Sequence, residues 1–373
     1  MAVEIRTVTT KAQLREFIKF PKRLYKGCDN WVPPLEGDEF DTFDRKKNGA
    51  YDYCDSELYL AVRDGKTVGR VAAIINRNAN RDWKQSNVRF GWLDFIDDAE
   101  VVGALLDAVA AWGRKQGCDT MKGPLGFTDM DKEGLLVEGY ENLSPFTCLY
   151  NYPYYDTRLK EAGLDKDVDW TQSVALVKEE LPPMFQFADT IEKRFGLHMY
   201  RPKSTKELAD RYGMELFHMY NESFAPLFQF TPLNDRQIKS YLETYVPILS
   251  PDFVAICLDA QDHPVGFAFC VPSLSKAVKA SDGKLFPLGF LRILRALKKN
   301  DTLEALMIGV LPEYQGKGAS VLLFKYLHEN SLKFGIRRMI LNPQLEENFK
   351  VQSLFEQYET VPFMRRRAYT KSI

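Results

Sequence analysis

The chain has 373 residues, of which 45% are hydrophobic and 27% are charged. This length predicts two domains of ordinary globular composition and excludes a single small module, a fibrous protein and a largely disordered chain. Fifty basic residues against fifty-one acidic ones give a net charge of -1. A chain this close to neutral lacks the positive field that attracts nucleic acid, so we expect no nucleic-acid partner.

The cysteines and histidines show no pattern of a metal site or a disulfide framework. The six cysteines are scattered without a C-x-x-C pair, and there are only four histidines. We therefore expect no bound zinc. The N-terminal stretch lacks the apolar run of a signal peptide, and no window approaches the roughly 18 apolar residues of a membrane span. These features predict a cytoplasmic protein.

Hydrophobic periodicity in the first half predicts strands and helices in the order βαββ, then βα. Asp64-Gly65 joins two strands of a hairpin, because glycine supplies the positive φ of a tight turn. The predicted elements are a strand near Val3 to Val8, a helix near Thr10 to Tyr25, strands Glu57 to Arg63 and Thr67 to Asn76, a strand Val88 to Phe95 and a helix from Asp98 to Gln116.

The second half repeats this order. Its predicted elements are strand His198 to Pro202, helices Ser204 to Tyr220 and Asp235 to Tyr245, hairpin Phe253 to Leu258 with Val265 to Val271, strand Thr302 to Val310, helix Gly318 to Phe334, strand Arg338 to Leu341, helix Glu346 to Tyr358 and strand Phe363 to Lys371. We interpret the chain as two copies of one α/β unit, with domains at 1–180 and 181–373. The boundary is placed where Leu181-Pro182-Pro183 interrupts regular structure.

The most informative motif lies between the strand that ends at Val310 and the helix that begins near Gly318. It reads Gln315-Gly316-Lys317-Gly318-Ala319-Ser320. Two glycines let the backbone approach a diphosphate and turn several N–H groups toward it, and the helix N-terminus adds its positive dipole end. A bare Gly-x-Gly also marks a simple tight turn, but its place between strand and helix favours the phosphate-binding interpretation.

At this motif the sequence resembles the GCN5-related N-acetyltransferase (GNAT) superfamily. The family signature Q/R-x-x-G-x-G/A binds the pyrophosphate of acyl-coenzyme A, and the motif here follows it in a more compact form. The resemblance implies an α/β (α+β) fold of two tandem GNAT-like domains, each a mixed, mostly antiparallel central sheet flanked by helices. It also implies acetyl-CoA or another acyl-CoA as cosubstrate.

The resemblance assigns the cosubstrate contacts to three segments. They are strand residues Ile308, Gly309 and Val310, loop residues Gln315, Gly316, Lys317, Gly318, Ala319 and Ser320, and Asn348. Asn348 would contact the pantetheine arm; alternatively it is a local helix cap. Strand N–H groups would bind the thioester carbonyl and stabilise the oxyanion of a direct attack.

The resemblance further implies that Glu304 is the general base. Strand alternation predicts Glu304, Leu306, Ile308 and Val310 on one face, where apolar neighbours suit a carboxylate that abstracts a proton. The alternative is a surface carboxylate at the sheet edge. Phe355 occupies the slot of the usual tyrosine general acid, and a phenyl ring cannot donate a proton. We predict Tyr358 as the acid; Tyr314 or a first-half tyrosine are alternatives.

The first half lacks the glycine loop. Four carboxylates stand there instead, Asp94, Asp97, Asp98 and Glu100, and like charges oppose diphosphate binding. One coenzyme site per chain is predicted, with residues 1–180 as a degenerate GNAT-like domain that walls the acceptor pocket. The aromatic connection 123–155 would face the acceptor, with acidic residues such as Asp131 attracting an amine, or would be a solvated loop with core aromatics.

The segment 272–300 is an insertion that is both basic and apolar. It predicts a peripheral contact with the inner face of the membrane, or alternatively a helical lid packed on the protein. The predicted function is transfer of an acetyl or longer acyl group from acyl-CoA to a primary amine, either a small molecule or a lipid amine. A non-enzymatic acyl-CoA sensor is the rival from another class, and the oligomeric state is left open.

Overall fold

The computed structural model describes residues 2–373. Up to residue 176 the elements are β1 (Glu4–Thr7), α1 (Lys11–Leu24), α2 (Glu36–Thr42), β2 (Cys54–Arg63), β3 (Lys66–Asn76), α3 (Arg77–Asp82), β4 (Asn87–Phe95), α4 (Ala99–Lys115), β5 (Thr120–Gly123), β6 (Leu135–Glu138), α5 (Tyr154–Glu161) and β7 (Asp165–Leu176). They are followed by α6 (Ala188–Phe195), β8 (His198–Tyr200), α7 (Thr205–Phe224), α8 (Asp235–Tyr245), β9 (Val254–Leu258), β10 (Pro264–Pro272), α9 (Ser275–Ala280), α10 (Gly289–Lys298), β11 (Thr302–Val310), α11 (Ala319–Lys333), β12 (Arg338–Ile340), β13 (Gln344–Leu345), α12 (Phe349–Ser353) and β14 (Thr360–Ser372).

The chain folds into two compact units that are discontinuous in sequence. Unit 1 contains the residues up to Thr171, Ser275–Phe290 and Met364–Ile373, and unit 2 contains Gln172–Leu274 and Leu291–Phe363. Each unit is a mixed, largely antiparallel sheet flanked by helices, which confirms the predicted fold class. The domain limits 1–180 and 181–373 stay a prediction.

Unit 1 has the strand order β1-β2-β3-β4-β5-β14. The turn between β2 and β3 has φ of +53° at Asp64 and +73° at Gly65, as the hairpin prediction requires. Helix α4 begins at the cap Asp98 and buries one apolar face on the sheet. The buried side chains of that face are Val101, Val102, Leu105, Leu106 and Val109.

Unit 2 has the strand order β8-β9-β10-β11-β12-β7. Strands β8 to β11 pair antiparallel, β11 and β12 pair parallel, and β12 pairs antiparallel with residues 174–176 of β7. Each half of the sequence therefore supplies its last strand to the sheet of the other unit. Helix α11 buries Leu322, Leu323, Phe324 and Leu327 in the core of unit 2.

The two units repeat one strand pattern. Strands β4 and β11 both have nine residues, and both pair with a parallel neighbour only through their first three. Residues 87–89 pair with 120–122 in unit 1, and residues 302–304 pair with 338–340 in unit 2. Beyond these pairs each long strand separates from its neighbour. We call each opening a fork.

The predicted helix from Glu346 to Tyr358 is much shorter in the structure. Only Phe349–Ser353 is helical, and β13 precedes it. The N–H groups of Phe355 and Tyr358 donate to carbonyls three residues back, Gln352 and Phe355. These tight turns end the helix and direct Phe355 and Tyr358 toward the core. Local periodicity alone could not reveal this.

Candidate functional site

The glycine loop leaves the N-terminus of α11 without a side-chain cap. Gly316 and Gly318 have φ of +76° and +87°, and Gly318 is the cap residue of α11. The first helical hydrogen bond runs from the Val321 N–H to the Gly318 carbonyl, 3.0 Å. Helix-start N–H groups before that bond, those of Ala319 and Ser320, have no intrahelical acceptor. The loop thus presents backbone donors and a helix dipole to an anion.

Residues around the loop hold its shape. The Gln315 side chain donates to the Val310 carbonyl, 3.3 Å, and Lys317 Nζ lies 4.7 Å from the centre of the Tyr314 ring. The Tyr314 hydroxyl donates to Asp259, 3.3 Å, so this tyrosine is engaged in fixing the loop.

Gly318 is required by packing as well as by its backbone. A Cβ atom built at Gly318 would lie 2.7 Å from Cδ1 of Ile191 on α6. Ile191 and Asp259 both support the loop, and no sequence signal identified them, because each is distant from the loop along the chain.

The fork of unit 2 exposes backbone groups of β11. The Leu311 N–H donates to the Val265 carbonyl, 3.0 Å, and Gly309 is paired with Phe267 on β10. Because backbone groups alternate along a strand, those of Ile308 and Val310 point away from β10, toward the side that β12 leaves open. Two of the three predicted strand residues therefore face the fork, and Gly309 faces β10.

Glu304 lies at the point where the fork begins. It is the last residue of β11 paired with β12, opposite Ile340, and it is also paired with Val271 on β10. Glu304 is only 2% exposed, and its Oε1 accepts a 2.6 Å hydrogen bond from the Ser273 hydroxyl. The alternative of a surface carboxylate at a sheet edge is therefore wrong, because β11 is an interior strand.

The predicted single face from Glu304 to Val310 is also wrong. Ala305 lies opposite Cys270 and Met307 opposite Phe269, so Leu306 is an extra residue in β11. Such a bulge reverses the alternation of side chains beyond it. Ala305, Ile308 and Val310 consequently pack on one core cluster. Glu304 lies on the other face, with Gly309, where an added Cβ would lie 3.2 Å from Cβ of Ser223 on α7.

Tyr358 lies on the core side of β11 and β12. It lines a small cavity with Met339, His328 and Phe355, and burial raises the pKa of its phenol well above the ordinary value. Met339 is paired with Leu303, and adjacent strand residues alternate between faces. Glu304 and Tyr358 are thus on opposite faces of the strand pair.

Phe355 and Asn348 have local structural roles. Phe355 is 7% exposed and contacts Phe324 edge to face, with ring centres 5.0 Å apart, so it is a core residue. The Asn348 side chain accepts a 3.4 Å hydrogen bond from the Val351 N–H and caps α12. Its contact with pantetheine stays a prediction.

In unit 1 the corresponding fork is filled by the chain itself. The Leu125 N–H donates to the Phe90 carbonyl, 2.9 Å, and a Cβ at Gly91 would lie 2.5 Å from the Leu125 oxygen. Arg89 takes the strand position that Glu304 has in unit 2, and it donates to the Gly126 carbonyl, 3.1 Å. No open channel between β4 and β5 is left at these contacts.

The acidic residues of unit 1 serve its own structure. Asp98 caps α4 by accepting from the Glu100 and Val101 N–H groups, and its hydrogen bond with Arg63 lowers its pKa. Asp131 accepts from the Phe127 and Thr128 N–H groups, at 2.7 and 3.1 Å, and burial raises its pKa to about 6. In unit 1, Asp98 thus already occupies the N-terminus of α4, where an anion would otherwise bind.

Comparisons with known proteins agree with this geometry. The model of the Acetyltransferase (GNAT) family matches residues 215–358. The tandem GNAT protein of the clavulanic acid biosynthesis pathway superposes with a TM-score of 0.57 at 11% identity, covering 99% of this chain and 98% of that one. The chain carries a GNAT domain in a tandem GNAT fold.

Two curated relatives match the chain along almost its full length. Protein YghO of Escherichia coli strain K12 is 26% identical over 380 residues, which cover 99% of this chain and 95% of that protein. The bacterial ceramide synthase of Caulobacter vibrioides is 24% identical over 374 residues, covering 98% and 96%.

Proposed function

We propose that the chain is an acyl-CoA N-acyltransferase that transfers an acetyl or longer acyl group to a primary amine by direct attack. One observation carries this proposal. The open fork of unit 2 lies between an uncapped helix N-terminus at Gly318 and a buried carboxylate at Glu304. A diphosphate, a pantetheine arm and an attacking amine each have a matching group there.

The residues suggest the following chemistry. N–H groups of Gly316, Gly318, Ala319 and Ser320 would bind the diphosphate, and the Lys317 ammonium would add positive charge, since the Lys317 N–H already donates to the Tyr314 carbonyl. Backbone groups of β11 would bind the thioester carbonyl. Glu304 would accept a proton from the amine as its nitrogen forms a bond to the acyl carbon. The carbon–sulfur bond then breaks, and the departing thiolate takes a proton.

For that last proton we propose Tyr358. A tyrosine phenol is already protonated at neutral pH, and burial raises the pKa of Tyr358 further. Because it lies on the strand face opposite Glu304, base and acid would act from opposite sides of the fork. Asn348 would contact the pantetheine arm through its side-chain amide.

For the acceptor we propose a lipid amine, reached by peripheral contact of segment 272–300 with the inner face of the membrane. A relative named bacterial ceramide synthase supports this choice over a small polar amine. We propose a cytoplasmic location for the protein, peripheral to the inner face of the membrane.

The test is thiol release by the purified chain, with acyl-CoAs of two and sixteen carbons and with a small amine or a long-chain base. We expect Glu304→Gln to lower kcat/KM by roughly 10²- to 10⁴-fold. The control is Glu329→Gln on the exposed side of α11, which should retain full activity. Acyl-CoA binding without thiol release from any amine would instead support a sensor, which Phe355 in the acid slot favours.

A further inference from the structure

The segment 272–300 has two structurally different parts. Its first part, α9 and the following turn, is packed within unit 1. Lys279 donates to the Cys28 carbonyl, 3.3 Å, and Lys22 pairs with Asp282, 3.2 Å. The Gly283 carbonyl accepts from the Glu36 N–H, 3.0 Å. This part is a structural attachment, and Lys279 is engaged in holding it to the protein.

The second part, residues 284–299, exposes apolar side chains. Phe286 is 77% exposed and Leu288 56% exposed, values that are unfavourable in water for side chains of this size. The exposed apolar residues of this part are Leu285, Phe286, Leu288, Phe290, Leu291 and Leu294. We call them the apolar ridge.

Helix periodicity explains how the ridge is oriented. At about 100° per residue, Phe290, Leu291 and Leu294 fall within one third of the circumference of α10. Ile293, which is 8% exposed, lies outside this arc and anchors the helix to the protein. Of the large apolar side chains of α10, only Ile293 is buried and Leu297 is half-buried, while the other three face outward.

The segment that carries the ridge is also positively charged. The segment contains Lys284, Arg292, Arg295, Lys298 and Lys299 and no acidic residue from 284 to 299. A protein interface has few charges at its centre, and a nucleic-acid site does not expose six large apolar side chains. An anionic lipid surface accommodates both features, since apolar side chains enter the acyl boundary while basic ones meet the headgroups.

We propose that residues 284–299 dock the protein onto an anionic lipid surface, with the apolar ridge inserted and the five basic residues at headgroup level. No helix among residues 2–373 is long and apolar enough to cross a membrane. The proposal deepens the lipid-amine assignment and rests on it for its biological purpose, but lipid binding can be measured without catalysis.

The test is sedimentation of the full chain with phosphatidylcholine vesicles, with or without 30% phosphatidylglycerol. We expect binding to the anionic vesicles only, weakened by salt. The double variant Phe286→Ser/Leu294→Ser should lose at least tenfold in affinity. The variant Arg295→Glu/Lys298→Glu should lose more, because each basic residue near such a surface strengthens binding roughly fivefold.

Phe187→Ser is the matched control, since Phe187 is 55% exposed outside the ridge, and it should bind as the unmodified chain does. All changed side chains are exposed, so an unchanged Tm verifies folding. The proposal is overturned if the ridge variants bind vesicles as tightly as the unmodified chain does. It is also overturned if the unmodified chain never binds vesicles but forms a dimer that the ridge variants dissociate. Thiol release with a soluble amine and no vesicles tests the proposed chemistry separately.

Discussion

The Ser273 hydroxyl donates a 2.6 Å hydrogen bond to the carboxylate of Glu304, at the residue where β11 separates from β12. Ser273 is itself fixed, because its N–H donates to the Thr302 carbonyl, 2.9 Å, and its carbonyl accepts from Asn300, 2.8 Å. The carboxylate therefore has one oxygen held in place before any substrate binds. Ser273 is a positioning residue for the proposed base.

Ser273→Ala should shift the ascending limb of the pH profile of kcat/KM to higher pH. The hydrogen bond that this variant loses favours the charged form of the carboxylate, because the Ser273 hydroxyl donates to it. Thiol release measured from pH 5 to 10 checks the shift. Ser273→Thr keeps the hydroxyl and should restore the profile, whereas an alanine profile that overlays the original would contradict this role.

The loop glycines should differ in what they contribute. Gly316→Ala and Gly318→Ala both strain a positive φ, but only the second adds a Cβ that meets Ile191, so Gly318→Ala should lower Tm further. Calorimetry with CoA should show at least tenfold weaker binding for both. Gly335→Ala is the control, because Gly335 has φ of +73° and open space at the far end of α11. Unchanged CoA affinity in the Gly318 variant would exclude the loop as the diphosphate site.

The chain should bind one CoA. In unit 1 the α4 N-terminus is capped by Asp98 and the fork is filled by Leu125. Calorimetric titration should therefore give a stoichiometry near one. Asp98→Ala should lower stability by about 1 kcal/mol through loss of the cap, without changing the stoichiometry or the CoA affinity. A second equivalent of bound CoA would refute the closed fork.

The stability of unit 1 should depend on pH through Asp169. Burial alone would raise the pKa of this carboxyl, but hydrogen bonds from Arg367 and Arg365, at 2.7 and 2.6 Å, outweigh it and lower the pKa to about 2. The stabilisation is complete above the unfolded pKa of about 3.9 and is lost as pH falls toward 2.

Urea unfolding of Asp169→Asn measures this contribution. At pH 7 the variant should be less stable by about 3 kcal/mol, because two arginines lose a buried partner. The difference should shrink between pH 4 and pH 2, where the native carboxyl takes up its proton. A difference that is constant over that range would show that the carboxylate charge is not the stabilising factor.

Local patterns in the sequence determined the repeated strand order, the hairpin at Asp64-Gly65, the exact span of β11 and the glycine loop before α11. These features depend on backbone preferences and side-chain periodicity over a few residues, which a sequence displays directly. The resemblance to the GNAT superfamily depended on the same loop. It correctly identified the family domain.

The tertiary structure alone decided which groups meet. The bulge at Leu306 moved Glu304 off the face of Ile308, Ser273 supplied a hydrogen bond to Glu304, and Ile191 occupies the space that a Cβ at Gly318 would need. The tertiary structure also divides segment 272–300 into a part that is packed on unit 1 and a part whose apolar side chains are exposed. The physical reason is that a bulge is set by pairing with another strand, and a contact by packing between residues far apart along the chain, neither of which leaves a periodic trace in the sequence.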